Sequence, residues 1–286
     1  MLREVLSITK RKKRLLCAGV LAAAVAGLAV GLDSRLTVSH YQVESEKLSG
    51  GVRVALITDL HCCNYGAGQR ELLDAVEAES PDLVLLGGDI VDDDPSLPVE
   101  NAYTVVRTLA ERYPTYYVTG NHEFWSGHVE EIRETMADCG AAVLAGGWED
   151  VELNGQSLRI CGVDDPAVGE AEWTEQLAKA GEGADGRCFT ILVTHRPERV
   201  ETYLQYDFDL TAAGHAHGGQ WRVPGLINGL LAPDQGLFPK YAGGLYDLGK
   251  QVMAVSRGLA RESTRIPRLF NRPELVVLDL IPKEQN

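Results

Sequence analysis

The chain has 286 residues, enough for one large or two small domains, and 45% hydrophobic with 24% charged residues is an ordinary globular balance. That excludes a disordered chain, a collagen-like repeat and a coiled coil, and six Cys are too sparse for a fold built on disulfides. A net charge of −14 argues against a nucleic-acid-binding surface, because phosphate binding rests on cationic groups.

The charge is uneven along the chain. Residues 1–14 hold six basic side chains (Arg3, Lys10, Arg11, Lys12, Lys13 and Arg14) against Glu4, so +5 sits in this head and the other 272 residues carry −19. Residues 15–32 follow without a charge. As a helix these 18 residues would be about 27 Å long, close to the roughly 30 Å hydrocarbon core of a bilayer. The basic flank predicts a single-pass anchor with its N-terminus in the cytoplasm and the rest of the chain outside. A cleaved signal peptide is the alternative, with Ala29-Val30-Gly31 as its site, although the apolar run is longer than such segments usually are. Residues 33–35 form a short link, and 36–286 form the folded domain.

Within that domain, alternation at 36–43 predicts a half-buried strand, and the apolar run 52–58 a fully buried one. Strands are also expected at 83–86, 115–119, 189–194, 208–213, 253–256 and 274–280, with a hairpin around Asn154-Gly155. Amphipathic helices are expected at 69–79, 99–111, 128–139 and 170–179, whereas 221–246 is rich in Gly and Pro and shows no period. Strand–helix alternation followed by further strands predicts an α/β fold of two packed sheets with helices outside.

Five of the apolar strands run into residues that can bind metal. They lead to Asp59-Leu60-His61, Gly88-Asp89, Gly120-Asn121-His122-Glu123, His195 and Gly214-His215-Ala216-His217. Ligands gather beyond the carboxyl ends of strands in such sheets, so the five loops should converge. Asp59, His61, Asp89, Asn121, His195, His215 and His217 are then seven donors, too many for one ion and suited to a pair. Oxygen donors mixed with imidazoles favour Mn, Fe, Zn, Co or Ni, and Asp89 is the natural bridging carboxylate.

The ordered set Asp-x-His, Gly-Asp, Gly-Asn-His-Glu, His and Gly-His-x-His resembles the calcineurin-like metallophosphoesterase superfamily. The resemblance implies a two-sheet β-sandwich flanked by helices. It also implies one metal on Asp59, His61, Asp89 and His217, and a second on Asp89, Asn121, His195 and His215. The cations would make hydroxide available near neutral pH for in-line attack on phosphorus and offset the phosphoryl charge. His122 would protonate the departing oxygen, with Asp92 as the carboxylate that keeps its imidazole protonated. Protein phosphatases of the superfamily carry a phosphate-gripping Arg after the position of Asp92. Here that residue is Asp93, which disfavours protein phosphomonoesters.

The run His215-Ala216-His217-Gly218-Gly219-Gln220 resembles a bacterial membrane-associated branch of phosphodiesterases, some of whose relatives are UDP-2,3-diacylglucosamine pyrophosphatases in lipid A synthesis. The expected activity is hydrolysis of phosphodiester or pyrophosphate bonds, with 221–246 as a substrate rim. A phosphomonoesterase and a non-catalytic metal-binding scaffold are the alternatives. Cys62 and Cys63 are expected as small buried residues, and His40 and His128 lie outside the motifs.

Overall fold

The computed structural model describes residues 2–261 and 266–283; the side chains of residues 2–12, 14, 23, 24 and 26 also lie outside the described residues. The strands are β1 (Thr37–Ser45), β2 (Val52–Ile57), β3 (Leu83–Gly87), β4 (Thr115–Val118), β5 (Ala142–Val143), β6 (Gly147–Leu153), β7 (Gln156–Gly162), β8 (Phe189–Val193), β9 (Leu210–Ala213), β10 (Leu231–Ala232), β11 (Gly236–Leu237), β12 (Gly244–Asp247), β13 (Val252–Val255) and β14 (Glu274–Pro282). The helices are α1 (Leu2–Gly31), α2 (Arg70–Glu79), α3 (Glu100–Ala110), α4 (Asn121–Trp125), α5 (Val129–Asp138), α6 (Glu170–Glu182) and α7 (Val200–Tyr203).

Two six-stranded sheets face each other, ordered β1-β14-β2-β3-β4-β5 and β12-β13-β9-β8-β7-β6. Side chains alternate across each strand, so one strand feeds two cores. Val54 and Leu56 of β2 join Leu83, Leu85, Ile160, Ile191 and Leu210 between the sheets. Ala55 and Ile57 point the other way, under Leu72 and Val76 of α2, Val105 and Leu109 of α3, and Ile132 and Met136 of α5. Behind the second sheet, Trp173 and Leu177 of α6 and Tyr203 of α7 cover Cys161 and Leu192. Burial on both faces explains why these strands read as continuous apolar runs in the sequence.

The expected two-sheet architecture is present, with most elements close to their expected bounds. At the β6–β7 turn both Asn154 and Gly155 have positive φ, the conformation that a two-residue hairpin of this kind needs. The irregular 221–246 segment contains the small β10–β11 hairpin and the start of β12, an edge strand. The anchor expected at 15–32 lies on α1. Among the described residues no helix is long and apolar enough to cross a membrane, so the expected membrane span is not shown.

Candidate metal centre

Strand order delivers the candidate ligands to one edge of the sandwich. β2, β3 and β4 are parallel neighbours in the first sheet, and β8 and β9 in the second. Asp59 and His61 follow β2, Asp89 follows β3, Asn121 opens α4 after β4, His195 follows β8, and His215 and His217 follow β9. The loops after β2 and β3 are tied by Asp59 N–H to Gly88 O (3.0 Å) and His61 N–H to Asp89 O (3.0 Å).

The backbone there is unusual. Five of the seven candidates are left-handed: Asp59 (φ 51°), His61 (49°), Asp89 (52°), His215 (65°) and His217 (46°). Each such residue costs of order 1 kcal/mol or more, and such conformations gather where the surroundings over-determine them. Glycine is required beside them. A Cβ on Gly88, at φ 85°, would lie 2.7 Å from both Gly120 N and His195 Nδ1, and one on Gly120 would lie 2.2 Å from Asp89 Oδ1.

Two groups of donors result. Asp59, His61, Asp89 and His217 bring ligand atoms within 4.8 Å of one another, as do Asp89, His195 and His215; Asp89 belongs to both. His61 Nε2 and Asn121 Oδ1 are buried and make no hydrogen bond, while Asp89 Oδ2 lies 3.0 Å from His195 Nε2. Polar atoms orphaned in this way are costly unless something else binds them. The opposite ring nitrogens are occupied. His61 Nδ1 contacts Asp92 Oδ2 at 2.6 Å, His195 Nδ1 contacts Gly87 O at 2.8 Å, and His215 Nε2 contacts Asp234 Oδ2 at 2.8 Å. Metal-binding histidines are characteristically held through the second nitrogen. The donor set therefore fits divalent cations.

Electrostatics agree. Burial alone would raise the carboxyls of Asp59 and Asp89, yet His217 and His195 hold Asp59 low, and His195 with His61 holds Asp89 well below the usual carboxylate range. Burial opposes the charged form of His195, but Asp89 brings it up to about 10. His217, buried and facing His61 and Arg268, is pushed down to about 3. Two carboxylates kept anionic at full burial form a site set for positive charge.

Asp92 stands between two histidines, nearer His61 than the expected His122. Asp92 was expected to hold His122, but its carboxylate lies 3.7 Å from His122 Nδ1 and makes its short contact with His61 instead. Asp93 Oδ1 stands 2.5 Å from His122 Nδ1. The cause is local: Asp92 Oδ1 accepts the Asp94 N–H (2.8 Å), a tight side-chain turn that aims its other oxygen at His61.

Sequence reasoning also passed over Glu123. This fully buried carboxylate accepts N–H groups from Asp89 (3.0 Å), Ile90 (2.8 Å), Val91 (3.1 Å) and Gly120 (2.8 Å), joining two ligand-bearing loops. Burial and the nearby Asp89 charge push its pKa up to about 7, against the lowering effect of those donors. Its place three residues after Gly120, at the mouth of a helix, was the available signal. Cys62 is buried as expected, and burial raises its thiol to about 12.

A groove of about 600 Å³ opens beside the centre, lined by Trp125, Glu170, Arg196, Glu198, Arg199 and Asp234 among others. The indole of Trp125 is 60% exposed and its ring lies 5.0 Å from that of His122.

A family model described as calcineurin-like phosphoesterase matches residues 52–219. The chain is similar to the phosphodiesterase YaeI of Escherichia coli, 29% identical over 234 residues, or 80% of this chain and 82% of that one. It is similar to the uncharacterized metallophosphoesterase YkuE of Bacillus subtilis, 26% identical over 235 residues, or 80% and 79%. With the uncharacterized metallophosphoesterase Cj0846 of Campylobacter jejuni it shares 29% over 254 residues, and it spans only 64% of that relative's length. Among solved structures, the NAD nucleotidase of Haemophilus influenzae matches 73% of this chain and 45% of its own, with a TM-score of 0.49 and 16% identity.

Proposed function

The chain belongs to the calcineurin-like phosphoesterase family and is a metal-dependent phosphoesterase; from that premise we propose that it hydrolyses phosphodiester or pyrophosphate bonds with two divalent transition-metal ions. The observation that carries this reading is the pair of donor groups sharing Asp89, with buried donors left unpartnered. Asp59, His61, Asp89 and His217 would hold one ion, and Asp89, Asn121, His195 and His215 the other. When bound, the ions supply Lewis acidity that makes hydroxide available near neutral pH and offsets charge on the phosphoryl oxygens.

The remaining chemistry falls to the chain. His122 is 24% exposed at the centre's edge, and its backbone N–H donates to Asp89 Oδ1 (2.9 Å), which fixes it against the ligand loop. Its imidazole donates a proton to the leaving oxygen, while Asp93 Oδ1 holds the ring through Nδ1 at 2.5 Å. The groove with Trp125 receives the leaving group, because it opens on the side of His122.

Elemental analysis after reconstitution with Mn or Zn should find two ions per chain; at most one would overturn the binuclear reading. His122→Ala should keep both ions. It should slow an alkyl diester by about 100-fold or more while an activated aryl diester loses far less, since a good leaving group needs little protonation. Equal losses on both substrates would remove the acid role. A purified preparation that prefers monoesters to diesters in the same assay would favour the phosphomonoesterase reading.

We also propose that the uncharged run 15–32 tethers the domain to a membrane, so that lipid-linked or envelope-bound phosphates, including nucleotide-linked lipids, are its substrates. What supports this is a helix whose Leu15, Leu16, Leu21 and Val30 are all more than half exposed. Only residues 32–36 separate α1 from β1, a span of roughly 18 Å when fully extended. Phe270 N–H also bonds Gly31 O (2.6 Å), which sets the domain against the end of the helix. Cell fractionation should find the full chain with membranes, and protease added to intact cells should digest the domain. Recovery in the soluble fraction would overturn the tether, and protection until lysis would place the domain inside.

A further inference from the structure

We propose that Asp234, in the irregular loop between β9 and β12, is the positioning carboxylate that fixes His215 for metal binding. The inference rests on the two-metal reading above and assigns a task to a loop with no regular period. Neutral imidazole carries one N–H, and the partner of that N–H decides which nitrogen keeps a lone pair. His215 Nε2 lies 2.8 Å from Asp234 Oδ2 and 3.0 Å from Arg196 Nη1; of these two only the carboxylate can accept, and with Nδ1 turned to the centre the N–H belongs on Nε2. The lone pair then sits on Nδ1, which faces His195 Nε2 at 3.2 Å, on the side where Asp89 also stands. The same arrangement holds His61 through Asp92 and His195 through Gly87 O, which makes Asp234 the third member of one pattern.

Asp234 is 54% exposed, and a carboxylate in water is ordinarily a loose guide. Here it is clamped. Arg196 Nη1 donates to the same Oδ2 that accepts from His215. Arg196 is itself gripped by the buried Asp165, with Nε donating to Oδ2 and Nη2 to Oδ1 (3.0 Å). Asp165, Arg196, Asp234 and His215 thus form a chain from the buried Asp165 to the centre, most exposed at Asp234. Asp234 is therefore coupled through His215 to one ion position.

The test is Mn²⁺ titration of the full-length protein by calorimetry, with electron paramagnetic resonance to distinguish a spin-coupled Mn pair from single ions. In Asp234→Ala one site should keep its affinity and the other should weaken by about 10–100-fold. The coupled-pair signal should vanish at stoichiometric metal and return in excess. Asp234→Asn, which keeps an acceptor oxygen, should fall between the two. Two unchanged sites in Asp234→Ala would overturn the proposal. Equal weakening of both sites with a lowered melting temperature of the metal-free variant would overturn it too, because that marks a residue needed only for the loop's fold. A wild-type protein that binds a single ion would instead sink the two-metal reading itself, and the wild-type titration separates that failure from the others.

Discussion

Asp89→Asn is expected to lower turnover by well over about 100-fold and to weaken metal binding at both positions at once. Removing a group that only orients a ligand already costs about 10–100-fold in affinity or activity. Asp89 is placed to contribute more, because it belongs to both donor groups and is fully buried. Asn keeps the shape and one acceptor oxygen, so His122 N–H can keep its bond, but the negative charge is gone. The measurement is metal content and diester hydrolysis at saturating Mn²⁺. A variant that retains two ions and more than a tenth of wild-type turnover would contradict the shared role.

The second large effect concerns stability. Glu123→Ala would strand four buried N–H donors at the junction of two ligand loops. Four bonds to one buried carboxyl are lost together, and unsatisfied buried donors carry a desolvation cost, so a loss of roughly 3–5 kcal/mol is expected. For a domain of this size that is a fall of roughly 10 °C in melting temperature. Glu123→Gln should be milder, since one oxygen survives while its NH₂ opposes donors on the other side. Melting of the metal-free variants reads the effect directly. An unchanged Ala variant would mean that water or a relaxed loop takes over the four donors.

Much of the centre was legible in the chain because it stands at the ends of strands buried on both faces. β2, β3, β8 and β9 announce themselves as apolar runs, and a polar residue directly after such a run has few places to go except the sheet edge. Partner choice among neighbours was not legible. Asp92 and Asp93 are adjacent, and only the turn closed by Asp94 N–H decides that one faces His61 and the other His122. Glu123 was hidden for a related reason, because its partners are backbone N–H groups and carry no side-chain signature. Asp234 sits 19 residues from His215 in a segment without period, so its contact exists only in three dimensions. The shortest elements, β5, α4 and α7, are too brief to show a periodicity.

The left-handed turns at Asp59, His61, Asp89, His215 and His217 constrain how the metal preference of this centre can be retuned. Softer ions favour thiolates, and harder ions favour more carboxylates. At these five positions a new donor must suit the ion and also tolerate the backbone, and Asn, Asp and His accept that conformation far more readily than other side chains. Asn121 and His195 are free of this requirement, for neither has positive φ. Both belong to the same proposed ion position, so a change of metal identity, by selection or by design, has its open route through that half of the pair, while the half built on Asp59, His61 and His217 stays chemically conservative.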